Sequence, residues 1–248
     1  MIKKKEEASN SNSNVMSFPR ILITAKNDEQ KALLKTIGEN TITFVTGSPG
    51  TGKTFLSLAY GLQLLAKEKV KRIVLTRPVI EAGGERLGFL PGDMTEKINP
   101  YLMPVYEILS ELMPPENVNK LISKTGREGP IRVIPLAFMR GMSFINTYVL
   151  CEESQNSSPE QIRMLLTRLS ENSKIVLCGD LKQSDIKNLS GLEDASNLLK
   201  DIEGIGRIHL SIDAIVRHPL VQSIEKKYEE RADKLKAKKK NIANMDIV

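Results

Sequence analysis

The chain has 248 residues, of which 40% are hydrophobic, 27% are charged and 4% are aromatic, and its formal net charge is +6. This composition fits a soluble globular protein with one α/β domain and tails, and it leaves few rings for a base-stacking surface. No apolar run is long enough to span a membrane and the first residues lack the apolar core of a secretory signal, so we expect a cytoplasmic protein without a membrane partner.

Residues 1–18 are polar and rich in Ser and Asn, which predicts a disordered amino-terminal tail. Short apolar segments then alternate with amphipathic ones. Six of the short segments predict strands, at residues 41–46, 72–76, 131–135, 147–151, 174–178 and 207–210. They are rich in Val, Ile and Leu and mostly do not alternate, as expected of strands buried on both faces. Two of them end in Cys151 and Cys178, which have no metal-ligand spacing, so we expect buried, reduced thiols.

The segments between the strands predict helices. The first follows the 41–46 strand and has one apolar face, made of Leu58, Leu62, Leu65 and Ala66. The second begins at Asn99 and Pro100 and ends at Pro114 and Pro115. The third begins at Ser158 and Pro159, where Gln161 completes a capping box. Its apolar face is made of Ile162, Leu165, Leu166 and Leu169.

Strands that alternate with helices indicate an α/β fold, with a mostly parallel sheet flanked by helices on both faces and ligands at one edge. The last segment, from about residue 219 to 240, predicts a helix that becomes increasingly basic. Residues 226–240 hold eight basic and three acidic residues and account for most of the net charge. We therefore expect a disordered tail at 1–18, a folded domain at 19–230 and a basic tail at 231–248. That basic tail either contacts nucleic acid or is a solvated helix end.

One segment matches the phosphate-binding pattern G-x-x-x-x-G-K-[ST] between the first predicted strand and the first predicted helix. Its residues are Gly47, Ser48, Pro49, Gly50, Thr51, Gly52, Lys53 and Thr54. Glycines let the backbone turn its N–H groups toward phosphate oxygens, and the helix amino terminus adds partial positive charge. Lys53 is expected to reach the β- and γ-phosphates and the Thr54 hydroxyl to bind Mg²⁺. The sequence therefore predicts a P-loop nucleoside triphosphatase that uses ATP and Mg²⁺.

Two adjacent carboxylates, Glu152 and Glu153, follow the 147–151 strand. Charges at the end of an apolar strand are costly unless a cation or a proton is nearby. Because neighbouring residues at a strand end point in different directions, one carboxylate can face a metal while the other polarises water. We assign Glu152 to Mg²⁺ and Glu153 to the general base of hydrolysis.

A third polar strand end follows residues 174–178 and contains Gly179, Asp180 and Gln183. The Gln183 amide can sense a γ-phosphate by donating to one of its oxygens and by orienting water. A purely structural turn is the alternative interpretation of this segment.

Together these motifs resemble those of the PhoH-like ATPases, a family named for phosphate-starvation induction. The resemblance covers about residues 21–230 and is carried by residues 47–54, 77–92, 135–141, 152–156, 179–185 and 216–221. It implies a RecA-like core, similar to the first motor domain of superfamily 1 helicases, and an ATPase connected with RNA or DNA. The family commonly has Asp where this chain has Glu152, and Arg where it has Met142.

The resemblance also implies roles for residues outside the phosphate-binding loop. Asn27 and Gln30 stand where the family has an element that reads adenine. Hydrolysis needs additional positive charge at the γ-phosphate, which an arginine can supply. Arg217, after the last predicted strand, is the first candidate for this arginine, and Arg140 is the second.

A helicase of this type works two motor domains around one nucleotide, whereas this chain has one. We therefore expect a homo-oligomeric ring, such as a hexamer, in which a neighbouring subunit closes the site. Arg77 and Arg86 lie in loops beside the phosphate site and are candidates for contact with RNA or single-stranded DNA. Well-packed turns are the alternative for these loops.

Two other functions stay open from the sequence. A small-molecule kinase is one, although the paired carboxylates and Gln183 favour water over a bound acceptor as the nucleophile. An ATP-gated binding or assembly module with slow turnover is the other, because Glu152 replaces the family's usual Asp.

Overall fold

The structure is a computed structural model that describes residues 23–78, 103, 106–122, 129–186 and 189–245, the last segment with backbone alone at 232, 233 and 235–245. Several sequence predictions fall outside these residues. They are the disordered tail at 1–18, the loop at 83–92 with Arg86, and the helix start at Asn99 and Pro100.

The described residues contain one six-stranded sheet. Its strands are β1 (Ile42–Gly47), β2 (Arg72–Thr76), β3 (Ile131–Val133), β4 (Thr147–Cys151), β5 (Lys174–Gly179) and β6 (Ile205–Leu210). Their order in the sheet is β3-β2-β4-β5-β1-β6, and every pair of neighbours is parallel. All six strands therefore end at the same edge, and the loops after β1, β5 and β4 are neighbours there.

Helices cover both faces of this sheet. The helices that do so are α1 (Asp28–Glu39), α2 (Lys53–Ala66), α3 (described over residues 106–112), α4 (Pro115–Leu121), α5 (Pro159–Leu166) and α6 (Gly191–Leu198); α7 (Pro219–Met245) follows them along the chain. One buried cluster joins α1, α2, α3 and α4 to the sheet, and a second joins α5 and α6 to the opposite face. β1, β2, β4 and β5 are almost wholly buried between these two layers, whereas the edge strand β6 is partly exposed. The parallel sheet between two helical layers confirms the α/β fold expected from the sequence.

All six predicted strand segments are strands, with ends that shift by one or two residues. The largest shortening is in β3, which ends at Val133 rather than at Pro135. Proline has no backbone N–H to donate to a neighbouring strand, so the ladder stops before it. Cys151 and Cys178 are buried as free thiols, as predicted, and burial raises the pKa of each to about 12.

Helix α5 begins as the sequence predicts. Ser158 Oγ accepts a hydrogen bond from the Gln161 backbone, and Gln161 Oε1 accepts one from the Ser158 N–H. The prediction that Leu169 continues the apolar face of this helix is wrong, because α5 ends at Leu166. The next turn tightens, with Leu169 N–H donating to Leu166 O, and Leu169 instead forms a bridge with Phe144.

The last helix, α7, runs continuously across the expected boundary at residues 230 and 231, so the start of the basic tail is not marked by a break in structure. The boundaries proposed for the tails and the domain stay predictions. Within the described ranges, no helix combines the length and the apolar character needed to cross a membrane.

Candidate functional site

The phosphate-binding loop connects β1 to α2, as the motif requires. Gly47, Gly50 and Gly52 all have positive φ angles, of 146°, 77° and 87°. Residues other than glycine rarely adopt such angles. Lys53 opens α2, and its Nζ donates to the carbonyl oxygens of Gly47 and Ser48 at 2.7 and 2.8 Å. Burial lowers the pKa of Lys53, while the nearby carboxylates of Asp180 and Glu153 oppose that shift.

Helix α1 is fastened to this loop by Gln30, a buried side chain. Gln30 Nε2 donates to Thr51 O at 2.9 Å, and Gln30 Oε1 accepts from the Lys26 N–H at 2.8 Å. The Asn27 side chain caps α1 by accepting from the Gln30 N–H and also donates to Ala214 O. Asn27 is thus engaged in the fold, whereas Gln30 lines the cleft described below. Their expected role in reading adenine stays a prediction.

Arg217 lies on the phosphate-binding loop of its own chain. A Cβ atom built on Gly50 would lie only 2.9 Å from Arg217 Cδ, so a larger residue here would displace the Arg217 side chain, and it would also be strained by the φ of 77°. The preceding residue is fixed as well, because the Val216 N–H donates to Gly50 O at 3.1 Å. This places a guanidinium group at the mouth of the loop without help from a second chain.

Glu152 follows β4, and the Thr54 hydroxyl is close enough to lower its pKa, so the two residues expected at Mg²⁺ are near each other. The Glu152 backbone N–H donates to Thr76 O at 2.8 Å, which holds it against the end of β2. Burial raises the pKa of Glu152 to about 7, helped by the adjacent Glu153 and opposed by Arg77 and the Thr54 hydroxyl. A carboxylate in this state is one that a bound cation would favour in its ionised form.

Mg²⁺ is implied by the P-loop, and the residues present fit it. The Thr54 hydroxyl and the Glu152 carboxylate are the hard oxygen donors that Mg²⁺ prefers. Among the described residues there is no group of three or more His, Cys, Asp or Glu side chains that forms a metal site. Mg²⁺ at a P-loop needs no such group, since it is held by one or two side chains together with phosphates and water.

Glu153 has a left-handed backbone, with φ 48° and ψ 33°. This conformation is uncommon for a residue other than Gly, Asn or Asp and costs on the order of 1 kcal/mol. It brings the Glu153 side chain to the exposed edge of the sheet, where it lines the same cleft as Lys53 and Arg217. Gln155 Nε2 donates to Glu153 Oε2 at 2.7 Å.

The loop after β5 lies between the phosphate-binding loop and Glu153, since β5 separates β1 from β4 in the sheet. Asp180 accepts the Lys182 N–H and is close enough to Lys53 to act on its pKa. Gln183 ends a short 3-10 turn and is exposed, and its carbonyl is 3.5 Å from Gln155 Nε2. Its proposed sensing of the γ-phosphate stays a prediction.

These elements enclose a cleft of about 540 Å³, within the range of small-molecule sites. Sequence reasoning had assigned several of its lining residues, including Gln30, Lys53, Thr54, Glu153 and Arg217. It had missed the rest of the wall, which consists of Thr24, Lys26, Phe55, Leu56, Ile108, Glu111 and Val216. These residues come from four separate segments, and apart from Val216 they belong to none of the motifs, so their positions in the fold bring them together.

Two predicted residues are elsewhere. Arg140 is exposed in the loop after β3, which β2, β4 and β5 separate from β1, and it does not line the cleft. Arg77, expected beside nucleic acid, lines a cavity of about 10 Å³ together with Glu152, and it acts on the pKa of that carboxyl. Met142, where the family commonly has Arg, packs against the second core cluster.

A model of the PhoH-like protein family matches residues 22–229. The PhoH-like protein of Synechocystis sp. is 43% identical over 210 residues, which cover 84% of this chain and 62% of that protein. The PhoH-like protein of Bacillus subtilis is 40% identical over 84% of this chain and 65% of its own length. Protein PhoH of Escherichia coli K12 is 38% identical over 81% of this chain and 56% of its own length. The chain thus spans between 56% and 65% of the length of these relatives.

Among solved structures, Pif1 helicase from Candida albicans is similar with a TM-score of 0.39 and 18% identity, over 77% of this chain and 40% of that one. Bacteroides Pif1 bound to ssDNA is similar with a TM-score of 0.33 and 17% identity, over 76% of this chain and 42% of that one. Such distant similarity transfers no function. The family match covers most of the chain, and the relatives are 38–43% identical to it. The chain is therefore a member of the PhoH-like protein family.

Proposed function

We propose that this chain binds ATP with Mg²⁺ in the cleft beside the phosphate-binding loop and hydrolyses it. The observation that supports the proposal is a cleft lined by Lys53, Thr54 and Glu153, with Glu152 beside Glu153 at the end of β4. Each has the chemistry that one part of phosphoryl transfer to water needs.

In the proposed reaction the oxygen of a water attacks the γ-phosphorus as the bond to the β–γ bridging oxygen breaks. ADP leaves with that electron pair, and Glu153 takes the proton of the attacking water. Lys53 leaves the Gly47 and Ser48 carbonyls, donates to the phosphates and balances their charge. Arg217, already against Gly50, supplies further positive charge to the same group.

Mg²⁺ bound by Thr54 and Glu152 would neutralise charge on the β- and γ-phosphates. The role of these two side chains would be to hold that position with hard oxygen donors, and Arg77, which lines a small cavity with Glu152, balances the Glu152 charge.

We further propose that hydrolysis is coupled to RNA or single-stranded DNA and that the protein acts as a homo-oligomeric ring. Arg140 supports the ring, because it is exposed at the far side of the sheet from its own cleft and is available to a neighbour's. A monomer that retains full activity on dilution would contradict the ring. The cytoplasmic location stays a prediction from the sequence.

The test is steady-state phosphate release from Mg·ATP, with and without single-stranded RNA or DNA, by the unsubstituted chain and by Glu153→Gln. Removing a general base lowers kcat by roughly 10²–10⁴-fold. We expect that loss in Glu153→Gln with little change in the affinity for a fluorescent ATP analogue, because Glu153 acts on water rather than on nucleotide. We also expect nucleic acid to stimulate the unsubstituted chain and not this variant.

Three other results would change the proposal. If no nucleic acid alters the rate of ATP hydrolysis, the proposed coupling to nucleic acid is wrong and the proposed ATPase activity stands. ATP binding without turnover would favour the ATP-gated assembly module. Equal turnover by the unsubstituted chain and Glu153→Gln would show that Glu153 is not the base.

A further inference from the structure

We infer that Gln155 is a positioning residue that holds the Glu153 carboxylate in its working orientation and ties it to the loop after β5. The inference rests on the proposed ATPase function and extends it to a residue that does not touch the nucleotide. Gln155 is 1% exposed and lies one turn beyond the carboxylate pair.

The Gln155 side chain makes hydrogen bonds to two different loops. Its Nε2 donates to Glu153 Oε2 at 2.7 Å and lies 3.5 Å from Gln183 O. Its Oε1 accepts from the Asp180 N–H at 3.1 Å. One buried amide therefore spans the loop after β4 and the loop after β5, with both of its polar atoms engaged.

Glu153 needs such a partner because of its own geometry. Its backbone is left-handed and its side chain is exposed, so the fold alone leaves the carboxylate free to rotate. The 2.7 Å bond from Gln155 has the length of a strong charge-assisted hydrogen bond and selects one orientation. The donor is fixed in turn by burial and by Asp180.

This arrangement also gives the loop after β5 a direct mechanical link to Glu153. A shift of Asp180 or Gln183 changes where the Gln155 amide lies and, through it, where the carboxylate lies. The next residue, Asn156, makes an equivalent pair of bonds to Asp185 but does not reach Glu153. The two amides hold the same loop, and only one of them holds the carboxylate.

The test compares two isosteric substitutions, Gln155→Glu and Asn156→Asp. Gln155→Glu keeps the acceptor for Asp180 and replaces the donor to Glu153 with a second carboxylate. Asn156→Asp keeps the acceptor for the Asp185 N–H and replaces the donor to the Asp185 carboxylate with a second carboxylate. It is therefore the matched control. Thermal unfolding of both variants shows whether each remains folded.

We expect Gln155→Glu to lower kcat for ATP by about 10–100-fold, the usual range for a partner that orients a working group, with KM and analogue affinity nearly unchanged. Asn156→Asp should change kcat much less. In a Glu153→Gln background, Gln155→Glu should cause no further loss, because the group it positions is already absent.

Equal losses of kcat in the two variants, or additive losses in the Glu153→Gln background, would overturn the inference and assign Gln155 a purely structural role. An unchanged kcat in Gln155→Glu would also overturn it while leaving the proposed ATPase intact. If the unsubstituted chain hydrolyses no ATP, both the proposed function and this inference fail.

Discussion

At the scale of single residues, Glu152 stands out because its pKa is far above the usual value of a glutamate. It has one methylene more than the family's usual Asp, and it is half-buried and lines a small cavity together with Arg77. Its pKa of about 7 means that, near neutral pH and without a cation, the carboxyl is divided between its protonated and ionised forms. Binding of Mg²⁺ and a proton at this residue should therefore compete.

This shift predicts a pH-dependent stability for the nucleotide-free protein. The pKa of Glu152 rises from 4.5 in the unfolded chain to about 7 in the folded one. The cost to stability is therefore absent below about pH 4.5, grows as pH rises between the two values and is complete above about pH 7. We expect Glu152→Gln, without Mg²⁺ or nucleotide, to be more stable than the unsubstituted chain at pH 8 by on the order of 1–3 kcal/mol.

Urea denaturation at pH 5 and pH 8 measures this difference. The advantage of Glu152→Gln should shrink toward pH 5, where the unsubstituted chain keeps its proton in the fold. A constant difference at both pH values would show that Glu152 is not desolvated as described. Adding Mg²⁺ and an ATP analogue at pH 8 should reverse the order, because Glu152→Gln removes the charge that binds the metal.

At the scale of elements, the packing of α2 on β4 fixes the distance between Lys53 and Glu152. Tyr148 of β4 is fully buried, and its hydroxyl donates to Ser57 O of α2 at 2.8 Å. A Cβ atom built on Gly61 would lie 2.5 Å from the Tyr148 ring, which no relaxed structure allows. Gly61 has a low helix propensity, but its lack of a side chain lets the Tyr148 ring pack against the helix backbone.

This close packing predicts that Gly61→Ala destabilises the protein. Alanine favours a helix over glycine by about 1 kcal/mol, but overpacking a buried contact costs roughly 1–3 kcal/mol, and we expect the second effect to dominate. The matched control is Gly38→Ala in α1, where the nearest atom is the Tyr60 hydroxyl at 3.3 Å, the far end of a side chain. Thermal or urea unfolding should show Gly38→Ala neutral or stabilising. A gain in stability for Gly61→Ala would contradict the packing argument.

The elements differ in how well the sequence predicts them. The strands and the start of α5 follow from local patterns, namely buried apolar runs and a capping box with both of its bonds. The early end of α5 does not follow, because the apolar spacing continues to Leu169 while the chain turns to pair with Phe144. The link from Gln155 to Asp180 spans 25 residues and rests on strand order, which local patterns do not encode.

At the scale of the whole molecule, the sheet brings three polar strand ends together. β5 enters the sheet between β1 and β4, so the loop with Asp180 and Gln183 separates the phosphate-binding loop from the carboxylates. Sequence motifs predicted each of these loops, but neither their order nor the return of Arg217 onto Gly50 followed from spacing alone. The wall formed by α3 and by Thr24 and Lys26 was predicted least, because these residues belong to none of the motifs.

The most direct test of the central claim is a crystal structure of the chain with Mg²⁺, ADP and aluminium fluoride, which together imitate the transferring phosphate. We expect Lys53 to leave the carbonyls of Gly47 and Ser48 and to bind the phosphate mimic. We expect the metal to bind between Thr54 and Glu152, and Glu153 to face the attacking water. A nucleotide bound outside this cleft, or Lys53 still bonded to those two carbonyls with nucleotide present, would contradict it.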